Sequence, residues 1–168
     1  MSTQGRPDIA APDATGLRLG IAATRWNAEI VETMLERALL AAERANIVGP
    51  TVVRVEGAME LPVVCQGLAA GHDAVVGLGA VIRGATPHFD YVCDAVTAGL
   101  LRVGLDERTP VGNGVLTTEN LDQAWERAGT PQSTEDKGFA AVVAALDAAL
   151  TLGELREGSR RSPVGFAR

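Results

Sequence analysis

The sequence predicts a three-layer α/β/α domain built on a four-stranded parallel sheet. Four apolar runs have strand character: "LRLGIAAT" (17–24), "TVVRVEG" (51–57), "DAVVGLGAVI" (73–82) and "TPVGNGVLT" (109–117). The segments between them carry apolar residues at helical spacing. Strands joined through such crossovers lie parallel, with helices on both faces of the sheet. A chain of 168 residues fits one domain with a real core, and with 46% hydrophobic but only 4% aromatic residues that core must be made of small, closely packed side chains.

Residues 1–16, with Gly5, Pro7, Pro12 and Gly16 and no periodicity, read as a flexible arm that orders against a neighbouring subunit. The domain proper spans 17–156. After the first strand, Ile30, Met34, Leu35, Ala38, Leu39 and Ala42 form a helical stripe leading into the second, a βαβ unit. In "ELPVVCQGLAAG" Pro62 suits the first turn of a short helix, and Gly71 closes it. The third run has almost no polar alternation, as in a strand covered on both faces. A helix from about Pro87 to Val103 follows, its inner stripe being Val92, Ala95, Val96, Gly99 and Leu100. Beyond the fourth strand, Thr117 or Thr118 is placed to cap a helix through "ENLDQAWERAG". "STEDKG", with Ser133 and Asp136 in capping-box spacing, opens the last helix. Residues 157–168 are polar, basic and read as a frayed tail.

A net charge of −6 argues against a nucleic-acid partner and an anionic membrane surface. The N-terminal stretch has no apolar h-region, and no run reaches about 18 uninterrupted apolar residues, so the expectation is a soluble cytoplasmic protein. Cys65 and Cys93 lack metal-type spacing and sit in apolar segments, which suits buried free thiols. The two histidines, two cysteines and scattered acids make no metal site. Nucleotide motifs fail as well. "GAVIRGAT" has Ala85 where a P-loop needs lysine, and "GLGAVIRG" has Ile82 where the dinucleotide fingerprint needs its third glycine.

Ligands of parallel sheets bind beyond the carboxyl ends of the strands, where the sequence places "TRWN" (24–27), "EGAMELP" (56–62), "RGATPH" (83–88) and "GVLTT" (114–118). In the third of these Thr86 is a good N-cap, with Pro87 at N1 and His88 at N2. The free N–H groups of that first turn and the helix dipole make an anion site, which small Gly84 and Ala85 leave open. His88 beside a bound anion is placed for proton transfer near neutral pH, whereas by position alone it is a solvated polar residue. Glu60 suits a helix N-terminus, and Trp26 suits either the core or stacking on a flat ring. Arg127 and Lys137, on either side of "AGTPQSTED", are by themselves ordinary surface charges. His72, at the opposite end of the third strand, and Trp125 are read as structural.

"VVGLGAVIRGATPHFDYVCDAVTAGL", "TPVGNGVLTTENLDQAWERAG", "EDKG" and the Ala-rich final helix together resemble the lumazine synthases of riboflavin biosynthesis, from about Leu17 to Leu155. The resemblance implies a flavodoxin-like sheet. It also implies condensation of 5-amino-6-(D-ribitylamino)uracil with 3,4-dihydroxy-2-butanone 4-phosphate to 6,7-dimethyl-8-ribityllumazine, phosphate and water, with no metal or organic cofactor. It implies a pentamer with sites between adjacent subunits, and riboflavin synthase as a further partner. Carried over by matching positions, Trp26 stacks on the pyrimidine and Ala58, Met59 and Glu60 hold the ribityl chain. Val81 and Ile82 read the uracil edge, Gly84, Ala85 and Thr86 bind phosphate, and His88 transfers protons. From the adjacent subunit Asn113 lines the ring pocket, Arg127 binds phosphate and Lys137 approaches the substrate's polar groups. Two departures stand out. Ala85 replaces a residue that is polar in many members, leaving only its backbone donor. The loop "GTPQSTED", long and containing Pro131, favours a free pentamer over a sixty-subunit shell. The competing expectation is a non-catalytic flavin- or lumazine-binding or scaffold protein on the same fold.

Overall fold

The structure is a computed structural model and describes residues 9–161. Four strands, β1 (Leu19–Thr24), β2 (Thr51–Val55), β3 (Ala74–Ile82) and β4 (Val111–Thr118), form one sheet in the order β2-β1-β3-β4 with every pair parallel. Helices α1 (Ala28–Arg44) and α5 (Lys137–Arg161) cover one face, and α2 (Leu61–Ala69) and α3 (His88–Asp106) the other. A short α4 (Leu121–Trp125) follows β4. This is the three-layer α/β/α, flavodoxin-like arrangement expected from the sequence.

Alternation along β1 divides its side chains between the layers. Leu19, Ile21 and Ala23 pack with α1 and α5, while Ala22 faces Leu61, Cys65, Val96 and Leu100 of α2 and α3. Seven of the nine β3 residues are buried and the last two, Val81 and Ile82, open toward solvent at its carboxyl end. Small residues let the layers close up. A Cβ on Gly138 would lie 2.1 Å from the Met34 carbonyl, and one on Gly112 2.3 Å from the Ala141 carbonyl, so α5 seats directly on α1 and β4 backbone. α5 is the one described helix long and apolar enough to cross a membrane, but its buried Phe139, Ala141, Val142, Ala145 and Leu146 are core residues.

Several local expectations change. On α1 Leu39 is exposed, while Val31 and Ala41 join the buried stripe; on α3 Ala95 is exposed and Val103 takes a place in the core. Thr86 does not cap α3: the N-cap is Pro87, without a side-chain cap bond, and the helix opens at His88. Neither Thr117 nor Thr118 caps α4, because β4 runs through Thr118; Asn120 does, accepting from Gln123 N–H at 2.9 Å. Ser133 does not open α5. Its hydroxyl donates to the Trp125 carbonyl at 2.5 Å, and Asp136 instead accepts from Phe139 N–H at 3.0 Å. Cys65 is buried but Cys93 only half-buried. His72 is structural as expected, with Nδ1 2.7 Å from the Leu68 carbonyl and Nε2 2.9 Å from Thr51 Oγ1.

Residues 9–16 lie against the domain: Ala14 is fully buried and donates its N–H to the Ala45 carbonyl at 2.9 Å. The rest of the arm, 1–8, lies outside the described residues; of the tail expected over 157–168, residues 157–161 continue α5 and 162–168 lie outside the described residues.

Candidate active site in two halves

The strand order reverses at β1: its crossover leads outward to β2, whereas β3 lies on its other side and leads to β4. The loops leaving β1 and β3 therefore diverge, and a crevice opens between them. A cavity of about 480 Å³ occupies that crevice. It is lined by Trp26 and Asn27 after β1, Glu56 to Glu60 after β2, Ala80 to Ile82 at the end of β3, and Gly84, Thr86 and His88 from the next turn. Of the residues expected in this half from the sequence, Ala85 alone is absent from the lining; it is exposed on the same turn.

Each wall has a local cause. Arg25 N–H donates to the Val55 carbonyl and Trp26 N–H to that of Glu56, prolonging the β1–β2 pairing and setting the indole, 68% exposed, at the rim rather than in the core. Asn27 takes a left-handed conformation (φ 54°) that its short amide side chain tolerates, and its Nδ2 donates to the Ala80 carbonyl at 2.7 Å. This locks the β1 loop onto β3. Glu60, in the 3-10 turn Ala58–Glu60, accepts from Gly57 N–H at 2.8 Å through Oε2, so its carboxylate is aligned by the chain it follows.

The turn after β3 is held by Arg83. Its guanidinium donates to both oxygens of Asp90 (2.8 and 3.1 Å) and to Glu119 (2.6 Å), and lies 4.2 Å from the Phe89 ring centroid. The hydrogen bonds from Arg83 hold the Asp90 carboxyl below the usual carboxylate range and push Arg83 itself upward. With both carboxylates engaging it, Arg83 ties the start of α3 to the end of β4. α3 starts at His88 without a side-chain cap, just after the turn of Gly84 and Thr86, and Asp90 N–H donates to the Pro87 carbonyl at 3.0 Å.

The remaining expected residues, Asn113, Arg127 and Lys137, stand apart in a second cleft along the outer edge of β4, with Gln123 and Glu135. Asn113 is exposed, and its Oδ1 accepts the Val115 N–H at 3.0 Å. Arg127 and Lys137 are joined by backbone: Lys137 N–H donates to the Arg127 carbonyl and Glu135 N–H to that of Glu126, around a bridge pairing Ala128 with Asp136. Asp136 anchors the loop from below through Arg37, whose Nε donates at 2.7 Å across 99 residues of sequence. Within one chain the expected residues thus fall into two groups that share a sheet but not a cavity. Sequence reasoning missed Asn27, Phe89, Arg83 and Glu135. An asparagine directly before a helix was a readable sign for the first, whereas Glu135 looked like one more acid in a polar loop.

Among the described residues no group of three or more His, Cys, Asp or Glu is placed to hold a metal ion. Comparison with known proteins gives the family. The family model for 6,7-dimethyl-8-ribityllumazine synthase matches residues 16–152. The chain is 65% identical to the 6,7-dimethyl-8-ribityllumazine synthase of Saccharopolyspora erythraea, covering 93% of this chain and 94% of that one. It is 63% identical to that of Thermobifida fusca (94% and 92% covered) and 59% identical to that of a Mycobacterium species (90% and 95%). The chain belongs to the 6,7-dimethyl-8-ribityllumazine synthase family.

Proposed function

We propose that this chain is itself a 6,7-dimethyl-8-ribityllumazine synthase, a transferase of riboflavin biosynthesis. It condenses 5-amino-6-(D-ribitylamino)uracil with 3,4-dihydroxy-2-butanone 4-phosphate and releases phosphate and water. The observation that carries this reading is the division of the expected residues between a crevice at the ends of the central strands and a cleft along the β4 edge of one chain's sheet. Two such halves make one site when the β4 edge of one subunit meets the β1–β3 crevice of the next, as in a closed ring of copies. A cytoplasmic pentamer is the assembly proposed, with riboflavin synthase as the enzyme that consumes its product. The long loop "GTPQSTED" between Ala128 and Lys137, with Pro131 in it, favours that free ring over a larger shell.

The residue roles are those that the family resemblance implies. Trp26 stacks on the pyrimidine, the Val81 and Ile82 backbone reads its uracil edge, and Asn113 of the next subunit closes the ring pocket. Ala58 and Met59 cradle the ribityl chain, whose hydroxyls donate to Glu60. The phosphate of the second substrate sits on the Gly84–Ala85–Thr86 backbone at the start of α3, faced by Arg127 from the neighbour. A Cβ on Gly84 would meet nothing within 4 Å, which leaves room for a phosphate against the backbone. The substrate brings its own amine, so much of the acceleration comes from positioning. His88 moves protons as the imine forms and water leaves, as phosphate is eliminated, and as the ring closes. Lys137 approaches the substrate's polar groups, and Arg127 with the helix N-terminus stabilises the charge that grows on the departing phosphate.

The test is turnover by the purified protein, read as lumazine fluorescence and released phosphate without added metal. His88→Ala is expected to lower kcat by about ten- to a hundredfold while leaving pyrimidine affinity intact. An undiminished kcat removes His88 from proton transfer, and tight flavin binding without product formation turns the reading to the non-catalytic alternative.

A further inference from the structure

Arg127 and Lys137 do not stand in their cleft as free cations. Between them lies Glu135, whose side chain is 10% exposed. Its Oε2 is 2.6 Å from Lys137 Nζ, and its Oε1 is 3.5 Å from Arg127 Nε. Arg127 Nη1 donates in turn to the Gln123 carbonyl at 2.7 Å, so the guanidinium is held at two of its nitrogens. The backbone leaves the carboxylate little freedom to withdraw, since the bonds on either side of the Ala128–Asp136 pair fix residues 135 and 137. Arg127 Nη1 also lies 3.4 Å from Oε2 of the more exposed Glu126, so both cations meet an incoming phosphate already paired with carboxylate, Glu135 being the more buried of the two and the one they share.

We infer that Glu135 is a positioning and specificity residue that sets how strongly the site grips phosphate; the inference rests on the proposed function. A dianion placed between Arg127, Lys137 and a helix N-terminus without the buried Glu135 carboxylate would be held more tightly, since the exposed Glu126 touches Arg127 alone. Inorganic phosphate is a product of the reaction, so such a grip would retain it and compete with the next phosphorylated substrate. Glu135 offsets one of the two cations and supplies the ligand to which Arg127 and Lys137 return when phosphate departs. It holds both side chains in place without touching the reacting atoms.

The experiment titrates inorganic phosphate into the wild-type protein, Glu135→Gln and Glu135→Asp by calorimetry, and measures phosphate as an inhibitor competing with the butanone phosphate. Glutamine keeps the shape and an accepting oxygen but loses the charge. Phosphate is expected to bind Glu135→Gln about tenfold more tightly, with a steeper loss of affinity on adding salt and an unchanged KM for the pyrimidine. Glu135→Asp stays within about twofold of wild type. A purely structural role would instead weaken phosphate and pyrimidine together. Equal or weaker phosphate binding by a folded Glu135→Gln overturns the inference. Because phosphate itself is the probe, the two readings fail separately. A charge effect without lumazine production removes the proposed function alone, and lumazine production without a charge effect removes the role of Glu135 alone.

Discussion

The cavity between β1 and β3 and the cleft along β4 belong to one sheet but are stiffened by different means. The cavity is set mostly by main-chain groups: prolonged strand pairing at Arg25 and Trp26, the Ala80 carbonyl that takes the Asn27 side-chain amide, and a helix start left uncapped. Its expected work, stacking a ring and reading its edge, needs surfaces and backbone groups in fixed places. The cleft is set by side-chain charge, with Arg127, Glu135 and Lys137 in one ion-paired row and Asp136 anchored by Arg37 beneath. Its expected work is to grip and release an anion. Backbone geometry suits a ligand that must be read, and balanced charge suits one that must leave.

Pairing an Arg127→Ala protein with a His88→Ala protein probes the division most severely. Arg127→Ala alone is expected to raise KM for the phosphorylated substrate by about ten- to a hundredfold with little change for the pyrimidine, the loss of one charge-assisted bond. When the two variants are unfolded and reassembled together, activity is expected to return to about one quarter of wild type, because random neighbours in a ring restore both halves at that frequency. Recovery no greater than the sum of the parents would place both residues in one subunit's site. A smaller effect tests the cavity alone: Trp26→Ala is expected to weaken pyrimidine binding by about five- to thirtyfold through lost stacking, with phosphate affinity unchanged in calorimetry.

The smallest effect concerns the strut between the regions. Arg83 holds the Asp90 carboxyl below its ordinary value of 3.8, so the pair stabilises the fold fully above that pH and loses its contribution as acid protonates Asp90 at its lowered value. Arg83→Met is therefore expected to lower Tm by about 2 °C at neutral pH, a difference that closes as pH falls below the ordinary carboxylate value. A gap that is constant down to strongly acid pH would assign the strut's value to Phe89 packing instead.

What the sequence made legible follows the range of the forces involved. The strands and the main helices could be read because each repeats a short period against a single core; β3 is the clearest, apolar throughout and covered on both faces. Helix starts were misplaced where a remote partner decides them. Asp136 displaces Ser133 as the cap of α5 while Arg37, 99 residues earlier, holds its other oxygen. Thr118 is withheld from capping by its pairing with Ile82. An anion-binding turn was expected from the spacing of "GATPH", with Thr86 in the capping place that Pro87 takes, but nothing in spacing joins that turn to Arg127 and Lys137. That link came through the family motifs, and Glu135 escaped even those, because its meaning depends on the two cations it lies between.

Asn113 carries one more consequence. β4 is an edge strand, and an open edge on a chain just released from synthesis is a template for wrong pairing with other strands. By taking the Val115 N–H onto its own side chain, Asn113 occupies a donor that a stray strand would use. A residue expected to face substrate in the finished assembly thus also leaves one fewer open donor on the edge of the solitary chain.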